Sequence, residues 1–451
     1  MSHGGRIGRC FSLPRLGHRI SQPPPSSPLE FTVSAAKLRL LAGVLAAGVL
    51  AAGCGGSSGD GHITLTLNLF GNMGFKELYA KYEAAHPNIK IVERTSAYND
   101  HHRNLAAHLA TGSGAADVEG IDTGFIAQFR AQPERFVDLR KHGADGLKDR
   151  WLPWKWQASV AKNGAQIGYG TDVGGLAMCY RRDLFEKAGL PTKRDEVSKL
   201  WPDWASYFEA GKKYTANKPA GAGFFDGAAQ IFNAMIGQAE TGYYDTSDQV
   251  IVASNPAVRS AYDEVLKAVA DGESAKLVGS SPAWNTGFAK SQFATVACPA
   301  WMLAKIQDQA KAFAGKWDIA AIPGGGGNWG GSYLTVPAQS KHVKEAVDLI
   351  TWLTAPEQQI EVFKAHGILP STVATYEKPE VKDLKNAFFN DAPVGQIFTT
   401  AALNLKPQYQ GPRAGDIQTA IRDAINRVEE GKQDGQQAWD QMLKDVERIE
   451  K

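Results

Sequence analysis

The sequence predicts an α/β protein built as two lobes, and three observations carry that prediction. Runs in which apolar residues alternate are followed repeatedly by runs with apolar residues at helical spacing, the pattern of sheets flanked by helices. Roughly 400 residues follow an apolar N-terminal stretch, more than one hydrophobic core organises. A glycine-rich bend from Tyr169 to Gly175, YGTDVGG, separates two strand-like runs and is suited to passing the chain from one lobe to the other.

The elements follow in chain order. HITLTLNLF is a strand in which Ile63, Leu65, Leu67 and Leu69 alternate. Phe75, Leu78, Tyr79 and Tyr82 then recur at helical spacing until His86-Pro87-Asn88 stops the helix. IKIVERT is the next strand, Asp100 is expected to cap a helix reaching His108, and DVEGID with TGFIAQF repeats strand then helix. A second α/β region begins near Gly168, where IGYGTDVGGLAMCYRRDLF runs from strand through the bend into another strand. WPDWASYFEAGKKY and AVRSAYDEVLKAVADG read as helices and QFATVACP as a strand. Beyond IAAIPGGGGNWGGSYLTVP, Val343, Val347, Ile350 and Leu353 line one helical face, and Pro356 opens a second helix. Two amphipathic helices close the chain, one carrying Ile417, Ile421, Ile425 and Val428, the other Trp439, Leu443, Val446 and Ile449. No internal repeat is visible.

Apolar content of 43% and charged content of 21% are ordinary for a globular protein. A formal charge of +2, with no basic tract interleaved with aromatics, argues against nucleic acid and for a neutral small molecule as partner. Leu40 to Cys54, LLAGVLAAGVLAAGC, follows Lys37 and Arg39 and precedes the polar GGSSGD. This stretch resembles a bacterial lipoprotein signal and is shorter than the ~20 apolar residues a transmembrane helix needs. Cys54 would then become a lipidated N-terminus that holds the folded part at the outer face of the bacterial cell membrane. The segments RIGRC, PRLGHR and QPPPSSP suit neither a signal nor a core and point to a start at Val33 instead of Met1. Residues 1–53 are thus read as leader and signal, and 54–61 as a tether. Cys10 falls in that leader, leaving Cys179 and Cys298, for which an export compartment permits a disulfide; two buried thiols are the alternative.

HPNIKIV, DVEGID, YGTDVGGLAMCYRRDLFEKAGLP, ACPAWML, GGGGNWGGSYLTVP and WLTAPEQQIEVF, in that order, resemble the extracellular solute-binding proteins, family 1, of ABC sugar importers. The likeness runs along essentially the whole mature chain, and YRRDLFEKAGLP is its most specific stretch. GLKDRWLPWKW and GGGGNWGGSYL look closer still to members that bind cello-oligosaccharides. The resemblance implies a two-lobed periplasmic-binding-protein-like fold of type II, with sheets flanked by helices and ligand held in the cleft between lobes. It divides the chain into lobe 1 (62–169), lobe 2 (170–322), lobe 1 again (323–369), and lobe 2 with the C-terminal helices (370–451). It also implies a monomer without cofactor or chemistry of its own. Such a monomer would deliver a β-linked oligosaccharide, cellobiose or cellotriose, to membrane permease subunits driven by a cytoplasmic ATPase. Xylo- and malto-oligosaccharides are the alternatives.

A sugar offers hydroxyls that need polar partners and ring faces that lie on aromatic rings, so the cleft should combine the two. The aromatic candidates are Trp284 in a loop, Trp301 at a strand end, Trp329 in a glycine-flanked loop and Tyr409, with Tyr98 ahead of the second helix. Trp154 and Trp156 are assigned to packing or a lobe edge. The polar candidates are Asn72, Asn99, Asp122, Asp172 beside Thr171, Asp226 and Arg413. Three rival readings are weaker. The glycines at 324–327 lack the Gly-Lys-Ser/Thr of a phosphate loop. His101, His102 and His108 share a helix without metal-ligand spacing and are expected to be solvated. A glycoside hydrolase needs a carboxyl pair about 5 Å or about 6.5–9.5 Å apart, and the signal and family pattern argue for carriage instead of cleavage.

Overall fold

The computed structural model describes residues 61–219 and 221–451. The leader, the start at Val33, the lipid site Cys54 and the tether up to residue 60 lie outside the described residues. Among the described residues, no helix is long and apolar enough to cross a membrane.

Nine strands form two sheets among these residues. The first contains β1 (Ile63–Phe70), β2 (Ile89–Ser96), β3 (Val118–Asp122) and β4 (Gly168–Gly170). The second contains β5 (Leu176–Arg181), β6 (Gly223–Phe225), β7 (Phe293–Pro299) and β8 (Trp317–Ala320). The last strand, β9 (Ser332–Thr335), returns to the first sheet, whose order is β2-β1-β3-β9-β4; the second sheet runs β6-β7-β5-β8. β1 pairs in parallel with β2 and β3, whereas β9 arrives from a distant stretch and runs antiparallel to β3 and β4.

The apolar patterns explain which faces are covered. Leu65, Leu67 and Leu69 of β1 are buried while the residues between them are partly exposed, so this strand has one core face. β5 is buried on both faces, and its period of two divides it: Leu176, Met178 and Tyr180 join one core, Ala177 and Cys179 another. Cys179 on β5 and Cys298 on β7 form a disulfide with 5.8 Å between α-carbons. The C-terminal helices Ala414–Glu429 and Gly435–Glu450 pack into the second lobe, the latter opened by a capping box between Asp434 and Gln437. Its buried face centres on Trp439, Met442 and Val446, with Leu443 and Ile449 only partly covered.

Three expectations are corrected. The second helix spans Tyr98–Thr111 with Ala97 at its N-cap; Asp100 lies in its first turn instead of capping it. Trp284 lies in the helix Pro282–Ala289, not in a loop, because Ser281 accepts from its backbone N–H and Pro282 pre-sets the first turn. His101 and His102 are buried, not solvated, since their helix packs against β1 and β2 and their rings hydrogen-bond to the Gly120 carbonyl and the Asp122 N–H of β3.

Three chain segments connect the sheets side by side. Residues 170–175 lead from β4 to β5, 321–331 return from β8 to β9, and Pro370 begins the third. Asp172 bridges Pro370 and Gly175 bridges Asn328. The Gly170 carbonyl accepts from Trp151 Nε1, Gln359 Nε2 and Ser371 Oγ at 2.7, 3.1 and 2.9 Å. Gly174 is dictated by close approach: a β-carbon there would stand 2.0 Å from the Trp329 carbonyl oxygen.

Candidate functional site

β3 ends at Asp122, whose carboxylate also caps the helix Thr123–Arg130 by accepting from the Gly124 N–H at 2.8 Å. The Tyr98 hydroxyl donates to the same oxygen at 2.9 Å. Behind them, the Asp122 N–H donates to His102 Nε2 at 3.0 Å while His102 Nδ1–H donates to the Tyr98 carbonyl at 2.7 Å. His102 is stacked on Phe125 at 4.1 Å, and burial lowers its pKa to about 3, so the ring stays neutral and keeps accepting. Asp122 is therefore held from the rear, with its second oxygen facing Gly330. A β-carbon at Gly330 would meet Trp301 Nε1 at 3.3 Å and Asp122 Oδ2 at 3.8 Å, so the absent side chain keeps this corner open.

Asp172 approaches from the first connecting segment. Its Oδ1 accepts from Thr171 Oγ1 at 2.6 Å and from the Ser332 N–H at 2.9 Å. Lys155, fully buried, reaches the same region from the helix Pro153–Ala158; its Nζ donates to Thr123 Oγ1 at 3.2 Å and lies 3.9 Å over the Tyr333 ring. Burial pulls the Lys155 amine down to about 8 against the opposing pull of Asp172 and Asp122. Burial likewise lifts Asp122 to about 6 and raises Asp172, each tempered by hydrogen bonds and by Lys155. Trp329 and Trp301 complete the group. Their rings meet edge to face at 6.4 Å, and Trp301 Nε1 donates to the Trp329 carbonyl at 3.0 Å.

Thr123 also lines a cavity of about 990 Å³ whose walls come from both lobes. The first lobe contributes Arg130, Trp154, Gln157 and Lys162; the second contributes Asp248 and Tyr409. The Asp248 carboxylate accepts from Tyr409 Oη at 2.6 Å and from Lys162 Nζ at 2.7 Å, joining the lobes. The volume is at the upper end of the ~300–1,000 Å³ typical of small-molecule sites.

The expected site residues separate into those near this region and those elsewhere. Tyr98, Asp122, Asp172, Trp301 and Trp329 come together at the lobe junction, and Tyr409 lines the cavity. Asp226 and Trp284 lie apart and are spent on each other: the indole N–H donates to the carboxylate at 2.6 Å inside a core. Asn72 is exposed and closes a turn by accepting from the Gly74 N–H at 2.9 Å, and Asn99 is exposed in the first turn of its helix. Arg413 pairs with Asp416 at 3.3 Å and faces a separate recess of about 340 Å³ beside Tyr244 and Glu450. Lys155 and Arg130 escaped the sequence reading. Trp154, read as packing or a lobe edge, faces the cavity, whereas Trp156 stacks on Trp151 at 5.5 Å. Nothing local in WLPWKW separates Lys155 from a surface lysine.

Among the described residues no group of three His, Cys, Asp or Glu side chains is arranged to hold a metal ion.

Comparison with known proteins agrees with this fold. The family described as bacterial extracellular solute-binding protein matches residues 77–389. A solved structure described as extracellular solute-binding protein family 1 is 49% identical, with a TM-score of 0.77 over 86% of this chain and 99% of its own. The arabinooligosaccharide-binding protein of Bacillus subtilis (strain 168) is 25% identical over 88% of this chain and 93% of its own length. An ABC transporter associated binding protein from B. animalis subsp. lactis Bl-04, solved with beta-1,6-galactobiose, shares the fold at 22% identity and a TM-score of 0.73, covering 86% of this chain and 98% of its own.

Proposed function

The chain belongs to the bacterial extracellular solute-binding proteins, a family of binding proteins and not of enzymes, and on that premise we propose that it captures an oligosaccharide in the interlobe cavity. It hands that ligand unchanged to the permease subunits of an ABC importer. The observation that carries the reading is the roomy two-lobed cavity, which places Trp154 and Tyr409 among amide, hydroxyl and charged side chains. Rings supply stacking faces worth ~1 kcal/mol each beyond area burial, and charged groups supply hydrogen bonds worth ~1.5–3 kcal/mol. Asp122 and Asp172, with Trp301 and Trp329, extend this chemistry toward the lobe junction. Closure then follows from contacts that only the closed state makes with ligand.

The finer assignment is a β-linked di- or trisaccharide, with cellobiose and cellotriose first. The named ligands of the relatives, arabinooligosaccharide and beta-1,6-galactobiose, are both oligosaccharides and support the class more than the linkage. Lipid on Cys54 is proposed to tether the protein at the outer face of the membrane. Thermal-shift screening followed by calorimetry on cellobiose, cellotriose, xylobiose, maltose, arabinobiose and galactobiose tests the reading. A ligand-dependent rise in Tm with intact sugar recovered supports it. Shortened products would replace carriage with hydrolysis, and no response to any sugar would remove the carbohydrate reading.

A further inference from the structure

The walls of the 990 Å³ cavity are unbalanced in charge. Arg130, Lys162 and Lys406 line it, against Asp248 as its one carboxylate. Both Asp248 oxygens are occupied, Oδ2 by Lys162 at 2.7 Å and Oδ1 by the Tyr409 hydroxyl at 2.6 Å, so Lys162 and Asp248 neutralise each other. Arg130 has only carbonyl partners, Ala158 O at 3.1 Å and Gln410 O at 3.4 Å, and its guanidinium lies 5.7 Å from the Tyr409 ring centroid. Lys406 is exposed and forms no ion pair among the described residues. The remaining polar lining is amide, including Gln157, Asn163, Asn328 and Gln408, which serves hydroxyls and brings no charge. Asp122 and Asp172 are not in the lining; their charges act on Lys155, and Asp122 caps the opposite end of the helix that finishes at Arg130.

We infer that the cavity selects a carbohydrate carrying an anionic group, carboxylate or phosphate, which Arg130 and Lys406 receive at the end remote from Asp122. The inference rests on the carbohydrate reading above and narrows it. A planar guanidinium pairs with two oxygens of one anion, a charge-assisted contact stronger than a neutral hydrogen bond. A neutral sugar leaves Lys406 without a charged partner and Arg130 with only Asp248, which Lys162 already shares.

Calorimetry on the mature, lipid-free chain tests this with matched pairs: cellobiose, xylobiose and galactobiose, each against its uronic-acid and phosphorylated counterparts, at low and high salt. The expected result is binding of one acidic form about tenfold or more tighter than its neutral parent, with the advantage shrinking as salt rises. The two acidic arms identify which anion is preferred. Arg130→Gln with Lys406→Gln should bring the acidic-to-neutral ratio close to one. Lys406→Gln alone, at an exposed position, should lower the ratio without a change in Tm, which keeps the test valid if the double variant folds poorly. Equal or tighter binding of every neutral parent, or a ratio untouched by both variants, overturns the inference and leaves the carbohydrate reading intact. Silence from neutral and acidic sugars alike overturns that reading instead.

Discussion

At the scale of single residues, Asp122 shows how the fold prepares one carboxylate. Tyr98 and the Gly124 N–H satisfy one oxygen, His102 fixes the backbone behind it, and burial lifts its pKa from 3.8 to about 6. The sign follows from that direction: the folded state favours the protonated form, so stability contributed by this group is full below 3.8 and is lost as pH rises through about 6. Ligand hydroxyls need the ionised form as acceptor, so sugar affinity should rise over the same interval. Calorimetry across pH checks this; Asp122→Asn should bind weakly at every pH and flatten the profile, and an unchanged profile would place the ligand away from Asp122. The DVEGID motif made this residue legible, because a strand end in an α/β sheet is where ligands meet. Lys155 was not legible, because only the folding of its helix against Thr123 and Tyr333 turns a lysine that reads as surface into a buried cation.

At the scale of elements, the connecting segments are held by contacts with no slack. The β-carbon of Gly174→Ala would fall 2.0 Å from the Trp329 carbonyl, so Gly174→Ala should cost ~2–3 kcal/mol or more, read by urea denaturation. A variant as stable as the parent would show that the 170–175 and 328–331 segments separate freely. The disulfide joins β5 to β7 across a sequence separation of 119 residues, a long loop to close in the unfolded chain. Removing it with Cys179→Ser and Cys298→Ser should lower stability by ~4 kcal/mol in the chain-entropy account, measured against the parent with and without reductant. Strand and helix positions could be read along the chain since apolar spacing of two or near 3.6 records which face meets a core. Trp284 escaped that logic: its helix is eight residues long and its role comes from Asp226, distant in sequence.

At the scale of the whole molecule, the lobes meet through polar contacts as well as connecting chain. Lys162 of one lobe and Tyr409 of the other converge on Asp248, while Arg130 reaches the Gln410 carbonyl. Such a mouth contact is weak and screened, ~1 kcal/mol or less for an exposed pair. That scale suits a cleft that must reopen. Asp248→Asn should therefore enlarge the ligand-free radius of gyration in small-angle scattering, most visibly at low salt; an unaltered radius would deny the contact any part in closure. The sequence by itself determined the α/β class, the membership of a solute-binding family, and the strand ends and glycine bends, because these are local patterns of spacing and backbone freedom. Only tertiary structure decided that Trp284 donates to Asp226, that Lys155 stands near Asp122 and Asp172, and which lobe meets which across the cavity. Hydrogen bonding and burial depend on distances between residues far apart in the chain, and no local pattern encodes those distances.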